Sequence, residues 1–332
     1  MAAQNPEPTP RVLCVGDMAA DIFSSPLPRL PDPGELVLTN QIAFFPGGNA
    51  LNTAVALQRL GEPTAFFGSL GDDAFGDLLL FELGKIGLDV RGVRREPGAA
   101  TPTTLIVRAE GEDRRFVHAL GAGDRFTGSG LSLDLIPNDG VVLAAGYLKL
   151  RSWDDTALAQ LFGHARARGS TVVLNVCIPI QGDVDPARCL RLLPQVDVFV
   201  PNQDEARILT GESQPAAQAR LLRQAGARMV IITRGQQGLY ATDGLQAIEM
   251  GVFPVEMIDP SGCGDCFTAG LIAGLLRRWE LPRTLTFASA AGALGATALG
   301  CTSGVPPLDA VERFVNENTV AVSIRTLSHP DQ

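Results

Sequence analysis

The stretch Ile258-Asp-Pro-Ser-Gly-Cys-Gly-Asp-Cys-Phe-Thr-Ala-Gly270 sets glycines on either side of Cys263 and an aspartate, Asp265, where a helix begins. Phe267, Leu271, Ile272, Leu275 and Leu276 recur at three- and four-residue steps, the spacing of one helix face. Glycines let the preceding backbone bend until its N–H groups converge. The first N–H groups of a helix lack intrahelical acceptors and carry the positive end of its dipole. Such a turn holds an anion, most often a phosphate. An aspartate there repels what the turn attracts, unless it takes a proton from a hydroxyl attacking a phosphoryl group. The plainer role for Asp265 is an N-cap, and the tetrapeptide alone slightly favours it. The rest of the chain shifts the balance.

Working outward, the 332 residues suffice for one large α/β domain or two ordinary ones. No apolar run is long enough to span a bilayer. Met1 to Pro10 is polar and proline-rich, without the basic and apolar regions of a signal peptide, and is expected to be a disordered lead-in. The net charge of −9 is spread thinly with no basic block, which argues against nucleic acid as a partner. Cys14, Cys177, Cys189 and Cys301 fall mostly in apolar runs. Cys263 and Cys266 form a lone CxxC without the second pair or histidines of a zinc site, so the spacing reads as accidental. Reduced thiols and the lack of a targeting signal point to the cytoplasm.

Upstream, Arg11 to Val15 reads as a buried strand closed by Gly16-Asp17, with Asp21 shortly after. Residues 35–45 alternate loosely, as one or two strands of a half-covered sheet. Pro46-Gly47-Gly48-Asn49-Ala50-Leu51-Asn52 opens a helix to about Leu60, again with glycines where backbone can approach a ligand. A strand over Thr64–Leu70 precedes a helix to about Lys85. Thr103–Val107 and Arg115–Ala119 flank a polar turn and read as a hairpin. From Gly140 onward strands and helices alternate, which implies a parallel sheet with helices on both faces. Asn175, Asn202, Glu205 and Thr233 then fall at or just past strand C-termini, where open α/β sheets bind ligands. The expected architecture is a three-layer α/β sandwich over 11–322. Lid strands are inserted at about 33–46 and 101–120, and a loose tail follows at 323–332.

The P-loop pattern is absent, the dinucleotide glycine pattern is incomplete, and three histidines make Ser-His-Asp hydrolysis a poor fit. What remains is Asp265 as base and amides at 262–265 as an anion hole. Asn202 and Glu205 remain to arrange hydrated magnesium, which needs few carboxylates.

Four ordered segments resemble the ribokinase-like sugar kinases of the PfkB family. Pro46 to Asn52 resembles the first family motif, and Asp259-Pro-Ser-Gly-Cys-Gly-Asp265 the second. Pro201 to Glu205 resembles the N-x-x-E element, and Ile232-Thr-Arg-Gly235 with Gly238 the nucleotide loop. The resemblance runs from about residue 11 to 315. It implies ATP-dependent phosphorylation of a hydroxymethyl group on a sugar-like substrate. Asp265 would be the base, with Gly262, Cys263 and Gly264 forming the anion hole. Asp21, Gly47, Gly48 and Asn52 would bind the sugar. Asn202, Thr233, Gly235 and Gly238 would contact ATP. Glu205 would arrange Mg2+, and Asp259 and Ser261 match positions that hold K+ in relatives. The inserted strands would form the lid and a homodimer contact.

Three positions depart from the pattern: Ala19 and Asn49 stand where ribokinases proper carry asparagine and lysine, and Cys263 replaces an alanine. A ketohexose or sugar acid is therefore expected rather than ribose. Gly304, where a serine can help bind potassium, leaves potassium dependence open. A nucleoside kinase and a non-catalytic sugar or nucleotide sensor are the alternatives.

Overall fold

The computed structural model describes residues 10–179 and 184–327. The expected disordered lead-in therefore lies outside them, apart from Pro10. Nine strands form the main sheet: β1 (Val12–Gly16), β4 (Thr64–Phe67), β9 (Val141–Tyr147), β10 (Thr171–Val176), β11 (Val198–Phe199), β12 (Met229–Thr233), β13 (Leu239–Thr242), β14 (Gln246–Met250) and β15 (Val322–Thr326). Their order is β15-β14-β13-β12-β11-β10-β9-β1-β4. The six strands from β12 to β4 pair in parallel, and β12 through β15 pair antiparallel.

Helices cover both faces because the parallel strands are apolar on both sides. Val12 and Cys14 face a layer of α1 (Asn49–Arg59), α2 (Ala74–Ile86), α7 (Cys263–Leu276), α8 (Leu281–Gly295) and α9 (Leu308–Glu317). Leu13 and Val15 face α3 (Asp155–Ala167), α4 (Pro186–Leu192), α5 (Gln203–Thr210) and α6 (Pro215–Gln224). This is the three-layer sandwich expected from the alternation.

A separate four-stranded sheet is ordered β3-β2-β7-β8, with β2 at Ala19–Ser24, β3 at Ile42–Gly47, β7 at Thr103–Val107 and β8 at Arg115–Ala119. A short pair, β5 (Ser69–Gly71) with β6 (Arg94–Glu96), completes the strands.

The structure corrects the expected boundaries in four places. Strand β2 is new, and it puts Asp21 inside the lid rather than past the end of a core strand. Of residues 33–46 only the end is strand. The strand expected over 64–70 breaks at Gly68, where a Cβ would press on the Gly16 carbonyl and the Phe66 ring. Residues 323–326 of the expected loose tail continue a strand from Val322 that pairs with β14 along its whole length; 328–332 lie outside the described residues.

Candidate active site

The N-terminus of α1 is held from outside. Gly48, with φ 97°, offers no side-chain cap. Asp17, just past β1, caps the helix instead: its carboxylate accepts the N–H groups of Asn49 and Ala50, each at 3.0 Å. Lys149, after β9, pairs with the same carboxylate. A side chain at Gly48 would collide with the backbone of Asp17 and Met18. The helix start is thus pinned close to β1, and Asn49 and Asn52 project from its first turns.

They meet α7. Gly262 caps α7 with φ 72°, and a Cβ there would run into the Cys301 carbonyl. Among the described residues the N–H groups of Gly262, Gly264 and Asp265 have no acceptor, and a Cβ on Gly264 would face open space. The Cys263 N–H turns back to Pro260 at 3.4 Å. The open amides of the anion turn are therefore those of 262, 264 and 265, within the expected 262–265. Asp265 does not cap its own helix. Its carboxylate accepts from Asn52 Nδ2 at 2.8 Å and Asn49 Nδ2 at 3.3 Å. Burial pushes its carboxyl up to about 7, against the hydrogen bonds from Asn52 and Asn49, which lower it. A base that titrates near neutrality is suited to proton abstraction at physiological pH.

Beneath the lid, Asp21 lies against Gly47, whose missing Cβ makes room for the carboxylate. Cys301 Sγ approaches Asp21 Oδ2 at 3.7 Å. Burial raises the Asp21 carboxyl to about 6. Two of the buried acceptors without a protein partner lie here, Asp21 Oδ1 and Asn52 Oδ1. An unpartnered buried acceptor is costly, and the hydroxyl groups of a polyol would satisfy both.

A second cleft, of about 310 Å3, is lined by Asn202, Gln203, Asp204, Thr233, Arg234, Gly235 and Gln237. It joins three of the residues expected to contact a nucleotide. Gly238 does not line it. Its φ of 81° and close approach to the Met250 carbonyl explain that glycine through the backbone. Glu205 accepts the Asn202 N–H at 2.8 Å and donates its own N–H to Asn202 Oδ1 at 2.9 Å, a capping box on α5. Burial raises its carboxyl to about 7.

The residues assigned to metals lie in two places, Glu205 on α5 for Mg2+ and Asp259 with Ser261 ahead of α7 for K+; among the described residues no three His, Cys, Asp or Glu side chains form a metal site. Asp259 accepts the Ser261 N–H at 3.0 Å, the Ser261 hydroxyl at 2.7 Å and the Gly300 N–H at 3.1 Å. Arg114 donates to Ser261 Oγ at 2.8 Å. Asp259 Oδ1 and Ser261 Oγ are thus engaged by protein donors with a guanidinium beside them, a poor fit for a monovalent cation. All six cysteines are free, those of the CxxC included, and burial raises the Cys263 thiol to about 11.

Residues 9–308 match the pfkB family of carbohydrate kinases. Ribokinase from Bacillus subtilis is 30% identical over 313 residues, covering 92% of this chain and all of the relative. A probable chloroplastic fructokinase of Arabidopsis thaliana is 28% identical, covering 91% of this chain and 82% of the relative. The structure of Arabidopsis thaliana ribokinase complexed with ribose and ATP superimposes with a TM-score of 0.78 at 25% identity, covering 92% of this chain and 99% of that one. The chain belongs to the pfkB family of carbohydrate kinases. Among the described residues no helix is long and apolar enough to cross a membrane.

Proposed function

We propose that this protein transfers the γ-phosphoryl group of ATP, accompanied by Mg2+, to a hydroxymethyl group of a ketohexose, a sugar acid or a similar polyol. The observation that carries the reading is the Asp265 carboxylate. It is held by Asn52 and Asn49 at the mouth of the α7 turn, beside open amides, with burial raising its carboxyl to about 7. The substrate hydroxyl loses its proton to Asp265 as its oxygen bonds to the γ-phosphorus. The bond from that phosphorus to the bridging oxygen breaks, and ADP leaves with the electron pair. The N–H groups of Gly264 and Asp265 meet the charge that spreads over the transferred group.

Asp21 and Asn52 supply acceptors to the sugar hydroxyls, and Gly47 and Gly48 let them approach. Asn202, Thr233 and Gly235 form the nucleotide side. Magnesium is carried largely by water and phosphate oxygens, and at the cleft rim Glu205 and Asn202 are the side chains that would orient its water. Bound there, the ion would neutralise phosphate charge. Ala19 offers no polar group beside Asp21, which favours substrates other than ribose.

The lid exposes apolar side chains, with Leu36, Ile42, Phe116 and Val117 each more than half exposed. Exposed apolar surface on a small sheet supports a homodimer through the lid, and light scattering would read its mass.

A coupled ADP-release assay over hexoses, sugar acids, ribose and nucleosides tests the reaction. Turnover confined to nucleosides would make this a nucleoside kinase. Thermal shifts by sugars without ADP release from any substrate would make it a binding protein.

A further inference from the structure

The β7–β8 hairpin crosses to the loop that precedes the anion turn and grips it at two points. Arg108 Nη1 donates to the Ile258 carbonyl at 3.1 Å, and Arg114 Nη1 to Ser261 Oγ at 2.8 Å. Ser261 spends its single hydroxyl proton on Asp259 Oδ1, so its lone pair is free to accept from Arg114. The donors and acceptors of this chain are consistent from end to end: Arg114 to Ser261, Ser261 to Asp259, Gly300 to the far oxygen of Asp259.

Asp259 is 3% exposed. A buried carboxylate needs a counter-charge. Arg114 Nη1 stands 3.7 Å from Asp259 Oδ1, and among the described residues it is the cation within ion-pair reach of that carboxylate. The guanidinium is itself restrained, by Asp113 at 3.1 Å and by the Phe116 ring at 5.5 Å. A monovalent cation would have to share Asp259 Oδ1 and Ser261 Oγ with a fixed positive group.

We propose that Arg114 is a resident counter-ion. It does at Asp259 and Ser261 what a bound monovalent cation would do, so the protein works without potassium. Because the charge is mounted on the lid hairpin, docking of that hairpin sets the shape of the Gly262–Asp265 turn. Arg114 is a positioning residue, acting through Ser261 and Asp259. The turnover part of the test rests on the kinase reading, and the stability part does not.

The test compares wild type, Arg114→Met and Arg114→Lys in potassium, sodium and tetramethylammonium chloride at equal ionic strength. Wild type is expected to show the same melting temperature and the same kcat in all three salts. Arg114→Met should lose about 10- to 100-fold in kcat in tetramethylammonium chloride, the scale of one charge-assisted hydrogen bond. Its KM for ATP should change far less. Potassium or millimolar guanidinium should restore much of that loss and raise the melting temperature of the variant, a rescue that a merely structural arginine would not permit. Potassium activation of wild type, or an Arg114→Met variant whose melting temperature ignores potassium, overturns the proposal even if no sugar is ever turned over. Should Arg114→Met fail to fold, Arg114→Lys decides: it is expected to stay indifferent to potassium, and potassium dependence there refutes the assignment.

Discussion

Asp265 sits at the third position of α7, where an aspartate ordinarily serves its own helix, yet its oxygens turn to two amides of another helix. Asp265→Asn should keep ATP and sugar affinity while lowering kcat by about 10²–10⁴-fold, the range for loss of a general base. The base works only when deprotonated, so kcat should fall as pH drops below about 7. The Asn52 hydrogen bond lowers that carboxyl. Asn52→Ala should therefore move the acidic limb of the kcat–pH profile to higher pH; an unmoved limb would separate Asn52 from the base.

Stability has the opposite sign. The folded-state value, about 7, exceeds the ordinary 3.8. The stability this carboxyl contributes is therefore full below about pH 4 and is lost as pH rises towards 7. Melting curves should show Asp265→Asn gaining most over wild type near pH 8 and least near pH 5. If its unpartnered oxygen takes a sugar hydroxyl as proposed, Asp21→Ala should raise the KM for sugar and leave ATP binding intact; calorimetry with each ligand separates the two. The partnership of Asn52 with Asp265 is not legible in the chain, because 213 residues separate them. The capping role of Asp17 is hidden for the same reason: it depends on Gly48, Asn49 and Lys149, which only the fold brings near. The glycine turn itself is legible, since φ and open N–H groups are local properties.

At the scale of elements, α7 and α8 cross closely at Gly270. A Cβ there would stand 2.8 Å from Ala288 Cα and 3.0 Å from Ala291 Cβ. Gly270→Val should cost about 1–3 kcal/mol through overpacking, seen as a lower denaturant midpoint. A Cβ added at Gly163 on α3 would meet nothing within 4 Å. Gly163→Ala should instead stabilise by about 0.5–1 kcal/mol. Buried parallel strands are the easiest elements to read, because Val141–Ala145 and Thr171–Asn175 are nearly unbroken apolar runs bounded by turns. Strand β2 is hidden because Ala19-Ala-Asp21 follows Gly16-Asp17 as though it continued a turn. Strand β15 is hidden because every one of its residues is exposed at the sheet edge, so no burial pattern marks it.

Across the whole molecule, Glu62 ties distant segments together. It is 1% exposed and pairs with Arg11 at 3.2 Å, ahead of β1, and with Arg277, past the end of α7. Glu62→Ala would leave two arginines without their shared carboxylate and should cost about 2–4 kcal/mol; an unchanged melting temperature would show the pairs to be ornamental.

The two sheets are joined by very short connections. Only Asp17 and Met18 separate β1 from β2, and only Gly48 separates β3 from α1. Both hinges therefore abut the residues that hold the first turn of α1. Any tilt of the lid as sugar binds would be transmitted as torque to Asn52, and through it to the base. Water alone cannot supply that leverage, so wasteful hydrolysis of ATP by the empty enzyme should be slow, and phosphate release measured without sugar would register it.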